Sequence, residues 1–307
     1  MSGGPVGSRS VTTPTPAETA ARLANVRHVL REAVHTTAGR LALEPRFEVK
    51  ALLAAHLHDD ARAVVELRRR IDELGGAPGG PGPDLSRLLD DGDVYRVLKP
   101  ALVTTLHTHR ELIDPLADEA SLHLVTQLLH RQERHLAELP AERDPDLPPD
   151  LGAFPLDPEQ SRQLAVLPPL DRPQRDSFVQ VVDEPQEHHP AHALMDAKLC
   201  AAELLARTSH EHPEMPDEFH ADLARAVRDA TRHAELVDDH MTTELGIHWG
   251  AFPVSFTEFR RVYAQDLAGR LAALDGAQTD YAPDSPAFDH VRADEAARAR
   301  ATARWRG

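Results

Sequence analysis

Two segments of this chain read almost as copies of one helix. Residues 128–139 are LLHRQERHLAEL and residues 226–237 are AVRDATRHAELV, so Arg134-His135 and Arg232-His233 are each followed by Ala-Glu-Leu or its near copy. Apolar residues surround both at helical spacing. They are Val125, Leu128, Leu136 and Leu139 in the first segment, and Phe219, Leu223, Ala226, Ala230, Val237 and Met241 in the second. His135 and His233 fall inside those stripes, as do Gln132 and Ala230 three residues before them. A repeated amphipathic helix with a histidine on its apolar face has to pack helix against helix, with both imidazoles turned inward.

Composition narrows the rest. The 307 residues carry 34 Lys and Arg against 50 Asp and Glu, a net charge of −16. A surface that acidic disfavours nucleic acid and anionic membrane as partners. Hydrophobic residues make up 41% but aromatics only 4%, so the core has to be built from Leu, Ala and Val, as in helix bundles. The single cysteine, Cys200, lies in an Ala/Leu-rich stretch; it excludes a disulfide within the chain, reads as a small core residue and fits a reducing cytoplasm. Neither an apolar leader segment nor a run of 18 uncharged apolar residues is present, so no signal peptide and no membrane span is expected.

Residues 1–15 read as a disordered tail. Thr15, Pro16 and Glu18 form a helix start, opening a block of helices over 16–139. Its members are expected at about 16–40, 46–74 (stopped by Gly75-Gly76), 93–113 and 118–139. Residues 140–190 hold 11 of the 25 prolines and form a linker or strap, with SFVQVV (177–182) as one short strand. A second helical block covers 191–307, with helices at 191–208 and 217–245, one from a Ser255/Glu258 capping box to Leu274, and a last one at 287–304. The fold class is therefore all-α, two helical blocks joined by a proline-rich linker.

HLHDDA (56–61) and HALMDA (192–197) share His-x-x-x-Asp-Ala, and each precedes one Arg-His helix. His56 and Asp60 share the core face of their helix with Leu52, Leu53, Leu67 and Ile71. His192 and Asp196 share one with Leu199 and Glu203. Each half thus offers two inward histidines and an aspartate: His56, Asp60 and His135, then His192, Asp196 and His233. Two readings stand. Two histidines and a carboxylate can hold non-haem iron; alternatively His56-Asp60 and His192-Asp196 are plain hydrogen-bonded pairs, and His135 and His233 satisfied core histidines. Of the 19 histidines most are solvated or structural, and no P-loop, Gly-x-Ser-x-Gly or Cys-x-x-Cys motif occurs.

The Arg-His helices resemble the Glu-x-x-His helices of carboxylate-bridged di-iron proteins, with Gln132 and Ala230 where the glutamates belong. ELLARTSHEHPEMPDEFHADLARAVRDATRHAEL, followed by GIHWGAFPVS, resembles ferritin-like proteins distantly similar to the di-iron tRNA hydroxylase MiaE. HLHDDARAVVELRRRIDEL, YRVLKPAL, PLADEASLHLV and FDHVRADEAARARATARW extend the similarity over most of residues 45–307. The resemblance implies a ferritin-like bundle with an iron site, and it implies that this site is damaged. Ala230 stands for a glutamate, Arg298 for the histidine of the last helix, and Lys198 for a further glutamate, while Glu295 remains. Cations at those positions repel iron, and they can pair with Glu295 to leave a buried salt bridge in its place.

Two functions follow. One is a degenerate member of the group, a pseudoenzyme that binds a small-molecule ligand or a protein partner. The other is a non-haem iron oxidase or hydroxylase using His56, Asp60, His135, His192, Asp196 and His233. The missing glutamates favour the first, and the repeated His-x-x-x-Asp favours the second.

Overall fold

Helix starts and stops are dictated locally. In the computed structural model the Thr15 N–H donates to Glu18 Oε2 (2.8 Å) and the Glu18 N–H to Thr15 Oγ1 (3.3 Å), closing the expected capping box at the head of α1 (Pro16–Leu43). The second helix, α2 (Phe47–Glu73), ends where Gly75 takes a φ of 71° and the Gly76 N–H reaches the Ile71 carbonyl at 2.9 Å. A π-helical turn over Val94–Leu98 leads into α3 (Lys99–Leu112). The next helix, α4 (Glu119–Glu138), is capped by Asp118, which accepts the Ser121 N–H at 3.0 Å. The structure describes residues 14–77, 82–83, 85, 94–140, 150–153, 156–157, 167–168, 172–183, 189–276 and 286–306. The tail over 1–13 and much of the linker lie outside these.

Two long helices follow the linker: α5 (Pro190–Glu211), and α6 (Asp217–His240) continued by a π-helical turn over Met241–Leu245. Gly246, at a φ of 65°, ends that turn. The single helix expected from Ser255 to Leu274 is instead two, α7 (Thr257–Tyr263) and α8 (Leu267–Gly276). Ser255 Oγ accepts the Thr257 N–H while Glu258 turns to Arg261, so no capping box closes. The Asp266 side chain restarts the helix by accepting the Gly269 N–H at 2.8 Å. The last helix, α9, runs Pro286–Ala303. Among the described residues, extended structure amounts to two two-residue pairings: Gly82–Pro83 with Leu156–Asp157, antiparallel, and Val181–Val182 with Val254–Ser255, parallel. Only the end of the expected 177–182 strand is extended. The protein is all-α.

The chain forms two compact units: Met1–Val29, Glu66–Arg87 and Tyr95–Arg162, and Leu30–Val65, Leu88–Val94 and Gln163–Gly307. In the first, Val125, Leu128, Gln132 and His135 of α4 are buried, and Arg70 ties the helix cap by donating to Asp118 (2.7 Å) and Ser121 (2.9 Å). In the second, Phe47, Leu194, Met195, Leu199, Val237 and Phe288 share one apolar cluster. Each large side chain so buried contributes about 1.5–3 kcal/mol. Phe219, Leu223, Ala226, Ala230, His233, Val237 and Met241 are all buried, as the stripe of α6 requires. Among the described residues, no helix is long and apolar enough to cross a membrane.

Candidate functional site

The inward polar residues cluster around lysines. Only three of the chain's 34 basic residues are lysines, and Lys50, Lys99 and Lys198 are 1%, 1% and 5% exposed. A buried ammonium is costly unless anions or acceptors surround it, so each lysine identifies a place where the interior is organised around a cation.

In the first unit Lys99, at the start of α3, donates from Nζ to Gln132 Oε1 (2.9 Å) and to His135 Nδ1 (3.0 Å). Acceptance at Nδ1 sets the His135 ring with its proton on Nε2. Gln132 and His135 are the pair that stands where the resemblance puts Glu-x-x-His, and a lysine holds both. Tyr95 lies beneath the same ammonium, its ring centroid 5.5 Å away.

In the second unit Lys198 of α5 forms an ion pair with Glu295 of α9, as the sequence implied. Burial, and after it Arg298, lowers the Lys198 pKa to about 8. His233 is buried beside this pair. Its Nε2 lies 3.3 Å from Asp294 Oδ2, and Arg232 pairs with the same carboxylate. Among the described residues the His233 Nδ1 has no hydrogen-bond partner. Burial, then Lys198, lowers the imidazole to about 4, so at neutral pH the ring is uncharged.

The third lysine, Lys50 of α2, pairs with Glu203, which also accepts from Arg175 Nη1 (2.6 Å) and the Gln174 N–H (3.1 Å). Arg175 donates through Nε and Nη2 to Asp196 Oδ1 at 2.8 and 2.6 Å. Two cations thus meet two carboxylates in the interior. Burial opposes the Arg175 charge, but Glu203 and then Asp196 outweigh it and raise its pKa. Lys50 is lowered by burial, against the pull of Glu203. Cys200 lies 2.9 Å from Arg175 Nη2, and burial, then Asp196, pushes its thiol pKa well up, so the sulfur stays protonated and unreactive.

Each of the six expected site residues has its own surroundings. His192 accepts the Gly250 N–H at Nε2 (3.3 Å) and stacks on Trp249 at 4.7 Å, while Asp196 is engaged by Arg175. His56 and Asp60 are both fully buried on α2. His135 faces Lys99, and His233 faces Asp294. Among the described residues no three His, Cys, Asp or Glu side chains are grouped to hold a metal ion. The positive observation weighs more: a cation already stands 3.0 Å from the ligand nitrogen of His135, and another is paired to Glu295. The residues present do not suit a di-iron centre.

A cavity of about 360 Å³ opens beside the second lysine. His192, Asp196, Lys198, Cys200 and Arg298 form its polar wall; Leu204, Phe259, Val262 and Leu274 form the apolar one. Its size lies in the ~300–1,000 Å³ range of small-ligand sites, and its mix of apolar walls with a few charged groups is the usual one for them. Sequence reasoning reached His192, Asp196, Lys198 and Arg298 but missed Lys50, Lys99 and Arg175. A signal existed: Lys50 with Leu53 and Leu57, and Lys99 with Leu102 and Leu106, are lone cations on apolar helix faces.

A family described as protein of unknown function (DUF455) matches residues 117–276, just over half of the chain, from the cap of α4 to the end of α8. The match takes in Gln132, His135, Arg175, Lys198, Glu203 and His233. Neither a curated protein nor a solved structure matches the chain.

Proposed function

The chain belongs to the DUF455 family, and from that premise we propose that it is a ferritin-like protein of di-iron oxygenase and hydroxylase ancestry that has exchanged its metal site for buried lysine ion pairs. Its role is to hold a small-molecule ligand in the cavity beside Lys198, without oxygen chemistry. The observation that carries this reading is the Lys198–Glu295 pair: Glu295, the residue of the last helix that the resemblance leaves in place as a ligand, is neutralised by a lysine at a position where the resemblance implies another glutamate. The Lys99–Gln132–His135 contact in the other unit supports it independently. A lysine ammonium supplies positive charge to these buried acceptors permanently, with no oxidation states and no open coordination position.

One observation favours the iron oxidase or hydroxylase reading. His192 and Asp196 both line the cavity, so a substrate there would meet a histidine and a carboxylate. Against it, Asp196 accepts two hydrogen bonds from Arg175, and displacing that guanidinium would leave it and Lys50 to share Glu203. Anaerobic reconstitution of untagged protein with ferrous iron, followed by desalting and elemental mass spectrometry for iron, manganese and zinc, separates the two. The proposed role predicts far less than one equivalent of any metal. A full equivalent, lost in His192→Ala or Asp196→Ala, would establish the iron enzyme instead.

A further inference from the structure

Two cations, Lys198 and Arg298, line the cavity. The Arg298 side chain is 7% exposed, with its Nη2 given to the Leu274 carbonyl at 3.0 Å. Its nearest carboxylate, Asp275, is 3.6 Å from Nε and is shared: Arg306 forms an ion pair with it, and Thr302 Oγ1 donates to it at 2.7 Å. Among the described residues the buried Arg298 Nε has no hydrogen-bond partner. Lys198, also in the lining, pairs with Glu295. Asp275 thus serves two cations, Arg298 and the part-exposed Arg306. Asp229 also acts on Arg298, but it is committed to Arg225 and Arg232.

The other charges of the wall are already balanced. Asp196 is held by Arg175, and Glu258 is paired with Arg261. His192 is committed to Gly250 and Trp249. The least matched cation of the lining is thus Arg298, in a cavity also lined by Leu204, Phe259, Val262 and Leu274.

We propose that the cavity binds an organic monoanion with an apolar body, its carboxylate received by Arg298 and Lys198 and its hydrocarbon part packed on Phe259, Val262 and Leu274. This inference rests on the ligand-holding role proposed above and specifies its substrate class. A carboxylate gives Arg298 an anion besides the Asp275 that it shares with Arg306. The apolar wall excludes water around that contact, which strengthens it. A neutral alcohol of the same length would gain the apolar contacts only, and an alkylamine would meet like charge.

Isothermal titration of the full-length, untagged chain with sodium octanoate, 1-octanol and octylamine tests this. Octanoate is expected to bind at one site, at least about tenfold more tightly than octanol, with octylamine weakest. Arg298→Met should reduce octanoate affinity about tenfold and leave octanol unchanged. Because Arg298 also ties α9 to the Leu274 carbonyl, Val262→Trp serves as a second variant: it fills the cavity, retains every charge, and should abolish octanoate binding. Octanol binding as tightly as octanoate, or octanoate indifferent to both substitutions, overturns the anion site but leaves a cavity for neutral ligands. Failure of all three probes overturns the anion site and the ligand-holding role together.

Discussion

Lys99 donates to His135, its Nζ 3.0 Å from Nδ1, across the α3–α4 helix pair. The same ammonium holds Gln132 one turn earlier at 2.9 Å. One cation therefore satisfies both residues of the first Arg-His helix that the resemblance would give to a metal. Lys99→Met removes this donor from two buried acceptors, at about 1–3 kcal/mol each. Urea denaturation should show a loss of about 2 kcal/mol or more, and Lys99→Arg should not restore it, since a planar guanidinium needs more room than an ammonium. Unchanged stability in Lys99→Met would show that the contact contributes nothing.

Gln132→Glu is the complementary substitution. It rebuilds Glu-x-x-His in the sequence but puts the new carboxylate against Lys99. The variant is expected to keep wild-type stability or gain slightly, and to take up no more ferrous iron than the parent in elemental analysis. Iron uptake by this single substitution would show that the site still accepts metal.

Glu203 is the anion between Lys50 and Arg175. Glu203→Gln leaves two buried cations with Asp196 as their only remaining carboxylate in this group, and is expected to cost about 3–5 kcal/mol. In the double variant Lys50→Met/Glu203→Gln the charge imbalance is relieved, so the measured loss should be well below the sum of the two single losses. Additive losses would deny the coupling.

Acid should unfold the protein through its buried histidines. Burial lowers His109, His220 and His233 to about 4 and His35 well below its ordinary 6.5. Between pH 6.5 and 4 the unfolded chain binds protons that the folded chain does not, so the contribution of these rings is complete above 6.5 and is lost as pH falls. Each of the three shifts to about 4 is worth on the order of 3 kcal/mol. Glu32 works the other way: burial raises it to about 7, so its contribution is present below 4.5 and lost as pH rises towards 7. Four histidines outweigh one glutamate. Denaturation midpoints should fall steeply from pH 6.5 to 4, and His220→Gln should flatten the slope. A midpoint that holds or rises over that interval contradicts the assignment of neutral, buried rings.

The sequence carried the helices because their signals are local. The Thr15/Glu18 box, the Gly75 stop, and the stripes around His135 and His233 each depend on residues within a turn or two. The resemblance left Glu295 open to a pair with either Lys198 or Arg298, and the structure gives it Lys198. The break between α7 and α8 was hidden because the apolar period continues through it, while the Asp266 cap that restarts the helix is a single residue. Arg175 was hidden for another reason. It lies in the proline-rich segment, where no periodicity tells an inward side chain from an outward one, and only the tertiary structure brings it onto Asp196 and Glu203. Lys50 and Lys99 were legible in principle. Histidine and carboxylate on apolar faces are the ordinary signs of a metal site, but lysine was the residue that mattered there.

Because the chain has only three lysines, their side chains can be observed directly. Nitrogen-15 labelling of lysine alone, followed by NMR of the ammonium groups during anaerobic titration with ferrous iron, tests whether cations hold the positions that the resemblance would give to metal. The account predicts slowly exchanging ammonium signals from Lys99 and Lys198 that neither shift nor broaden when iron is added. Stoichiometric paramagnetic broadening of those two signals would place iron beside them and contradict it.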